Sequence, residues 1–175
     1  ALVFAAQPEQ TGWKLIIAPH EPSETNVERI ANQANQVLRY SNEMAERTEN
    51  PTDKSCLIID NVGLLNSLYR YGKVAYIGGG FGKGIHNTLE PAAFGLPIIF
   101  GPKYEKFEEA RQFVAQGGAF SVRNAPELAT VLEQLRAPAH YQNASNAVTG
   151  YLERNQGATG KILEYLEKML PKTEV

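Results

Sequence analysis

From residue 14 onward the chain alternates short apolar runs with longer segments of helical spacing. The runs KLIIA (14–18), VLRYS (37–41), CLIID (56–60), VAYIG (74–78), PIIFG (97–101) and AFSV (119–122) have the length and side-chain types of strands. Between them, 23–35, 63–71, 88–95 and 105–116 space their apolar residues for helices. This rhythm predicts an α/β, Rossmann-like, doubly wound and mostly parallel sheet: each parallel pair needs a crossover, and the crossover helices cover both faces.

The carboxyl-terminal third is helical throughout. Leu128, Val131, Leu132 and Leu135 recur at i, i+3, i+4, i+7 within 126–136, and Asn124 with Glu127 has the spacing of a capping box. Residues 140–153 bring Ala144, Ala147, Val148, Tyr151 and Leu152 to one face, and 159–170 do the same with Ile162, Leu163, Leu166, Met169 and Leu170. The stretch 42–55 is polar with Pro51 and reads as a surface loop. Residues 1–10, ALVFAAQPEQ, have the composition of a helix end. A doubly wound domain opens on a strand, so either the single domain starts irregularly or the chain is a piece cut from a longer one.

Composition narrows the function. A net charge of -2 lacks the basic footprint of a nucleic-acid binder. The one cysteine, Cys56, sits in an apolar run, which fits a buried thiol and a reducing compartment. No apolar stretch approaches the ~20 residues of a membrane span, so the domain is expected to be soluble and cytoplasmic.

The chemistry concentrates after the run VAYIG. Five glycines fall within 78–84, followed by His86, Asn87 and Glu90. A Walker loop fails because Gly84 stands where a hydroxyl must follow Lys83, and every G-x-G-x-x-G alignment fails at its third glycine. The remaining physics is general. Glycines at a strand end let a ligand approach the backbone, and ligands of open α/β sheets bind beyond the carboxyl ends of strands. Pro91 is tolerated only in a first helical turn, so a helix starts between Asn87 and Glu90, with Gly95 and Pro97 ending it. That start would favour an anion through its dipole and free amides. The plainer reading makes Asn87 a cap, Glu90 a first-turn charge and His20 a surface group. Against it, His20, residues 62–64 and the 78–90 loop all follow strands and would converge on one edge.

Three segments together, APHE (18–21), DNVGLLNSLYRYGKVAYIGGG (60–80) and HNTLEPAAFGLPIIFGP (86–102), resemble the C-terminal, donor-binding half of the lipid A 3-deoxy-D-manno-octulosonic acid (Kdo) transferases, glycosyltransferases of GT-B fold. The resemblance implies a site for CMP-Kdo and, in the parent protein, inverting transfer of Kdo to a lipid A precursor in lipopolysaccharide biosynthesis. It places nucleotide contacts at Pro19 and His20, at Val62, Gly63 and Leu64, and at Asn87, Thr88, Leu89 and Glu90, with Glu90 accepting from ribose hydroxyls. Gly78, Gly79, Gly80, His86 and Lys103 would support the loop. It implies no metal or other cofactor, and no catalytic residue within this chain. The general base, the acceptor site and a membrane anchor belong to the N-terminal half, with the parent at the cytoplasmic face of the bacterial inner membrane and this domain inactive alone. The family's C-terminal half opens on a strand and a Gly-Ser-type loop, with residues 1–10 resembling the helix after it, so the resemblance implies one domain over 1–175, cut from a longer chain and lacking its first strand.

The chain departs from the family in three places. Pro19-His20-Glu21-Pro22-Ser23 stands where members often carry Arg-His-Pro-Glu-Arg, Gly84-Ile85 stands for two glycines, and Lys103 for a frequent histidine. Two alternatives stay open: the donor half of a GT-B enzyme using a UDP-sugar, and a non-catalytic, flavodoxin-like nucleotide-binding module.

Overall fold

The computed structural model describes residues 2–6, 13–34, 36–41 and 54–169. Strands β1 (Leu2–Ala6), β2 (Trp13–Ile17), β3 (Val37–Arg39), β4 (Cys56–Ile58), β5 (Val74–Ile77), β6 (Ile98–Phe100) and β7 (Ala119–Ser121) form one sheet in the order β3-β4-β2-β1-β5-β6-β7. Two parallel trios, β3-β4-β2 and β5-β6-β7, make up its halves. The helices are α1 (Glu24–Ala31), α2 (Leu65–Leu68, continued by a 3-10 turn Tyr69–Tyr71), α3 (Leu89–Ala92), α4 (Glu108–Ala115), α5 (Ala125–Gln134), α6 (Pro138–Arg154) and α7 (Ala158–Met169). The alternation read from the sequence is therefore realised element by element.

The expected helix at the start is not. Leu2–Ala6 is a strand, antiparallel to both β2 and β5, with Leu2 opposite Ile17 and Tyr76. The two trios run outward from a gap, and the inner edges of β2 and β5 would otherwise leave backbone groups unpaired inside the sheet. A short apolar segment satisfies both edges at once, and that tertiary demand overrides the local composition. The rest of residues 1–10, and 42–53 of the expected surface loop, lie outside the described residues.

Both faces of the parallel strands β5 and β6 are covered. Ala75, Ile77, Ile98 and Phe100 point to one side and pack with Ala92, Ala110 and Phe113, while Val74 and Ile99 point to the other and pack with Val122, Leu135 and Ala144. Alternate residues of β5 and β6 thus feed opposite cores, and the Cys56 thiol is buried with Val27 and Ile58 in a third. Asn124 caps α5 by accepting from the Glu127 amide at 2.9 Å, and Glu127 reaches back to the Arg123 amide at 2.8 Å. The apolar face of α7 differs from expectation: Ile162, Leu163, Leu166 and Met169 stay exposed among the described residues.

The glycine stretch divides by purpose. A Cβ on Gly80 would stand 2.6 Å from the Gly101 nitrogen, and one on Gly101 would stand 2.7 Å from the Gly80 carbonyl carbon. The two main chains therefore touch, and the Lys103 amide donates to the Gly80 carbonyl at 2.9 Å. Gly79, at φ 90°, closes a turn in which the amides of Gly82 and Gly84 both donate to its carbonyl. The expectation that all these glycines clear room for a ligand is corrected: Gly80 is empty because another backbone fills the space. Gly80→Ala should cost about 1–3 kcal/mol through overpacking, read as a lower urea midpoint.

Candidate functional site

The loops leaving β2, β4 and β5 enclose a cavity of about 620 Å³ at the carboxyl edge of the sheet. Residues 17–20 and Pro22 come from the first loop, and Asn61, Val62, Gly63, Leu65 and Tyr69 from the second. Ile77, Gly78, Gly79, His86, Asn87 and Glu90 come from the third. The strands that follow β2 lie on one side of β1 and those that follow β5 on the other, so the cavity lies at the topological switch point, where open α/β sheets take ligands. Leu2, the first residue of β1, pairs at this edge between them.

Charge in the cavity is sparse and segregated. Of the lining side chains, only His20 and His86 take a positive charge and only Glu90 a negative one. The two imidazoles stack, with centroids 5.0 Å apart and planes 21° from parallel. Glu90 is oriented by Asn87, whose side-chain amide donates to Glu90 Oε1 at 2.9 Å while its oxygen accepts from the Leu89 amide at 2.9 Å. The expectation that Asn87 caps this helix is corrected: the N-cap is Thr88, and Asn87, one residue before it, bonds the Leu89 amide from outside the helix while it orients Glu90 in the cavity wall. Tyr69 forms part of the wall, almost fully buried. Burial, with a smaller contribution from the Glu90 charge, pushes its phenol up to about 12, so it stays a neutral hydroxyl.

The anion site expected at the helix start weakens here. Helix α3 is a single turn, and its Leu89 amide is already taken by Asn87. A dipole needs several aligned peptides to build, so the helix start adds little positive potential to the cavity.

Of the residues singled out from sequence, Pro19, His20, Val62, Gly63, Gly78, Gly79, His86, Asn87 and Glu90 share the cavity wall. Leu64, Thr88, Leu89, Gly80 and Lys103 do not. Leu64 begins α2, Leu89 is exposed and Thr88 is wholly buried with its hydroxyl unpartnered. Gly80 and Lys103 hold the glycine loop through main-chain contacts. Sequence reading missed Asn61 and Tyr69. Asn61 directly precedes the Val62–Gly63 pair and was open to inference; Tyr69 enters only because α2 turns it inward.

Behind the wall, Asp60 accepts from the Ser41 amide at 2.9 Å, the Ser41 hydroxyl at 2.5 Å and Arg39 Nε at 3.2 Å. Burial pushes the Asp60 carboxyl up, but these hydrogen bonds outweigh it and leave the group below its ordinary value. The Arg39 hydrogen bonds likewise hold Glu24 below its own.

No protein-family model matches the chain. It is 38% identical over 104 residues to the 3-deoxy-D-manno-octulosonic acid transferase of Aquifex aeolicus, covering 56% of this chain and 30% of that protein. To the same-named transferase of Haemophilus influenzae it is 30% identical over 165 residues, covering 90% of this chain and 38% of that one. The chain spans about a third of the length of these curated relatives. Among solved structures it superposes on the C-terminal CMP-Kdo binding domain of WaaA from Acinetobacter baumannii with a TM-score of 0.67 and 23% identity, over 78% of this chain and 72% of that one. The first comparisons support the resemblance read from the motifs, and the last is a likeness of fold, the Rossmann-like α/β architecture expected of a GT-B half.

Two outcomes follow from the geometry. Asn87→Ala should cost about 0.5–1.5 kcal/mol through the lost hydrogen bond to the Leu89 amide, measured by urea unfolding. A carboxylate held below its ordinary pKa stabilises the fold above that ordinary value and loses the contribution as pH falls through the lowered one. Stability should therefore decline below about pH 4, and Asp60→Asn should flatten that decline in an acid titration.

Proposed function

We propose that the chain, as a relative of the Kdo transferases, is the donor-binding part of such an enzyme and that its cavity takes CMP-Kdo. The observation that carries this reading is the convergence, on one cavity wall, of residues from all three sequence segments in which the resemblance lies. In this reading Glu90, steadied by Asn87, accepts from the ribose hydroxyls, since one carboxylate can accept from two neighbouring hydroxyls. His20 and His86 face the phosphate. Gly63, Gly78 and Gly79 keep the walls free of side chains, so the sugar and base can lie against backbone.

The reaction proposed for the whole enzyme is inverting and needs no metal. A hydroxyl of the lipid A precursor attacks the anomeric carbon of Kdo, the bond from that carbon to the phosphate oxygen breaks, and CMP departs. A base takes the hydroxyl proton. This chain's share is to hold the leaving group and to offset its growing charge, through the histidines and the loop amides rather than a cation. The base and the acceptor site are assigned to the part of the relatives' length that this chain does not span, together with attachment to the cytoplasmic face of the inner membrane. Among the described residues no helix is long and apolar enough to cross a membrane. By itself the chain is expected to bind CMP and to transfer nothing.

A titration of the isotope-labelled chain with CMP should shift the amide resonances of His20, Gly63 and Glu90. Glu90→Gln and His20→Ala should each weaken binding roughly ten- to a hundredfold, the loss of a hydrogen bond to a charged group. Silence at all three positions would sink the assignment. Competition by UMP and UDP in the same titration checks the base and the phosphate count: a preference for UDP over CMP would move the reading to a UDP-sugar enzyme.

A further inference from the structure

The side chain best placed to control the cavity without lining it is Arg39, at the end of β3. Its two terminal nitrogens donate to the two carboxylate oxygens of Glu24, each at 2.7 Å, while its Nε donates to Asp60 at 3.2 Å. Glu24 opens α1, directly after the loop that carries Pro19, His20 and Pro22 to the cavity. Asp60 directly precedes Asn61, Val62 and Gly63. One planar group thus spans the roots of two of the three loops that form the site.

Apart from the stacking of His20 on His86, the tips of these loops have little else to hold them. His20, Asn61, Val62 and Gly63 are exposed, Val62 at 80%, and a Cβ on Gly63 would meet nothing within 4 Å. Where a tip has no packing of its own, its position is set at its root. The roots are firm: the Asp60 side chain is only 5% exposed, and the Asn26 side chain of α1 donates to the Glu21 carbonyl at 2.8 Å, tying back the first loop. A guanidinium offers an Nε edge and a terminal edge at a fixed angle. Lysine, a single ammonium on a flexible stem, cannot hold two carboxylates at that angle.

We propose that Arg39 is a positioning residue, which sets the separation between the His20 loop and the Val62–Gly63 loop and thereby the fit of the cavity to a nucleotide. The inference rests on the cavity being a nucleotide site, as argued above. Glu24 and Asp60 are its two arms, and Ser41 completes the Asp60 arm: its amide donates to Oδ1, which Arg39 leaves, and its hydroxyl shares Oδ2 with Arg39.

The test uses the full chain and CMP, with affinity measured by calorimetry and the loops followed by amide resonances. Arg39→Gln is expected to weaken CMP binding about tenfold, the scale of losing a group that orients a binding side chain, with Arg39→Lys recovering little of it. Without CMP, the resonances of His20 and Gly63 should move in Arg39→Gln while those of Gly95 and Gly118, which precede the amino ends of β6 and β7, hold still. Glu24→Gln, at an exposed position, guards against a folding defect. It should weaken binding less and move His20 but not Gly63. Arg39→Gln combined with Asp60→Asn should bind no worse than Arg39→Gln alone, because the two act as one unit. Wild-type affinity in Arg39→Gln, or a loss that only follows its unfolded fraction, overturns the inference while leaving the nucleotide site standing. No CMP binding by the unaltered chain overturns the functional reading, and this inference with it.

Discussion

Everything in this molecule depends on pairing the inner edges of β2 and β5. The two parallel trios run away from each other, so each would end at the centre of the sheet on an unpaired strand, with buried amides and carbonyls that cost free energy unless bonded. The antiparallel β1 fills that place and bonds both sides. Strands lie about 4.8 Å apart, so inserting one keeps the loops after β2 and β5 at twice that spacing. The crevice between those loops is the cavity. Its position is thus a consequence of how the sheet is closed.

Main chain, more than side chain, shapes the cavity's third wall. Gly80 and Gly101 bring two backbones into contact, which anchors the loop, and only then are Gly78 and Gly79 held where they line the space. The wall offers few ionisable side chains, two histidines and one carboxylate, and each is held by a neighbour: ring on ring for the histidines, amide on carboxylate for Glu90. Sparse charges in a partly enclosed space act strongly, because little water screens them. A site that must hold an anionic leaving group and a neutral ribose has use for this division.

A second level of organisation lies in the ion pairs behind the wall. Isolated surface ion pairs contribute little to stability, and Arg39 with Glu24 alone would be such a pair. The arrangement differs because Asp60 is buried and bonded three times, so the guanidinium is fixed at one end and steadies the exposed partner at the other. The pattern suits control of shape better than contribution to stability. Helix α7 presents the opposite case, an amphipathic element whose apolar face meets no partner among the described residues.

By itself the sequence determined the strand–helix alternation, the cap of α5 and the identity of the three site segments. Each of these is written locally: an apolar run in VAYI, i, i+3, i+4, i+7 in α5, and Asn-x-x-Glu at Asn124. The motifs also reached nine of the cavity-lining residues, from Pro19 to Glu90. Tertiary structure alone decided what depends on distant neighbours. Leu2–Ala6 is a strand because two edges needed pairing, Gly80 is empty because Gly101 lies against it, and Arg39 matters because three segments end around it. Local spacing records which face of its own element a residue occupies; it holds no record of what the fold brings to that face.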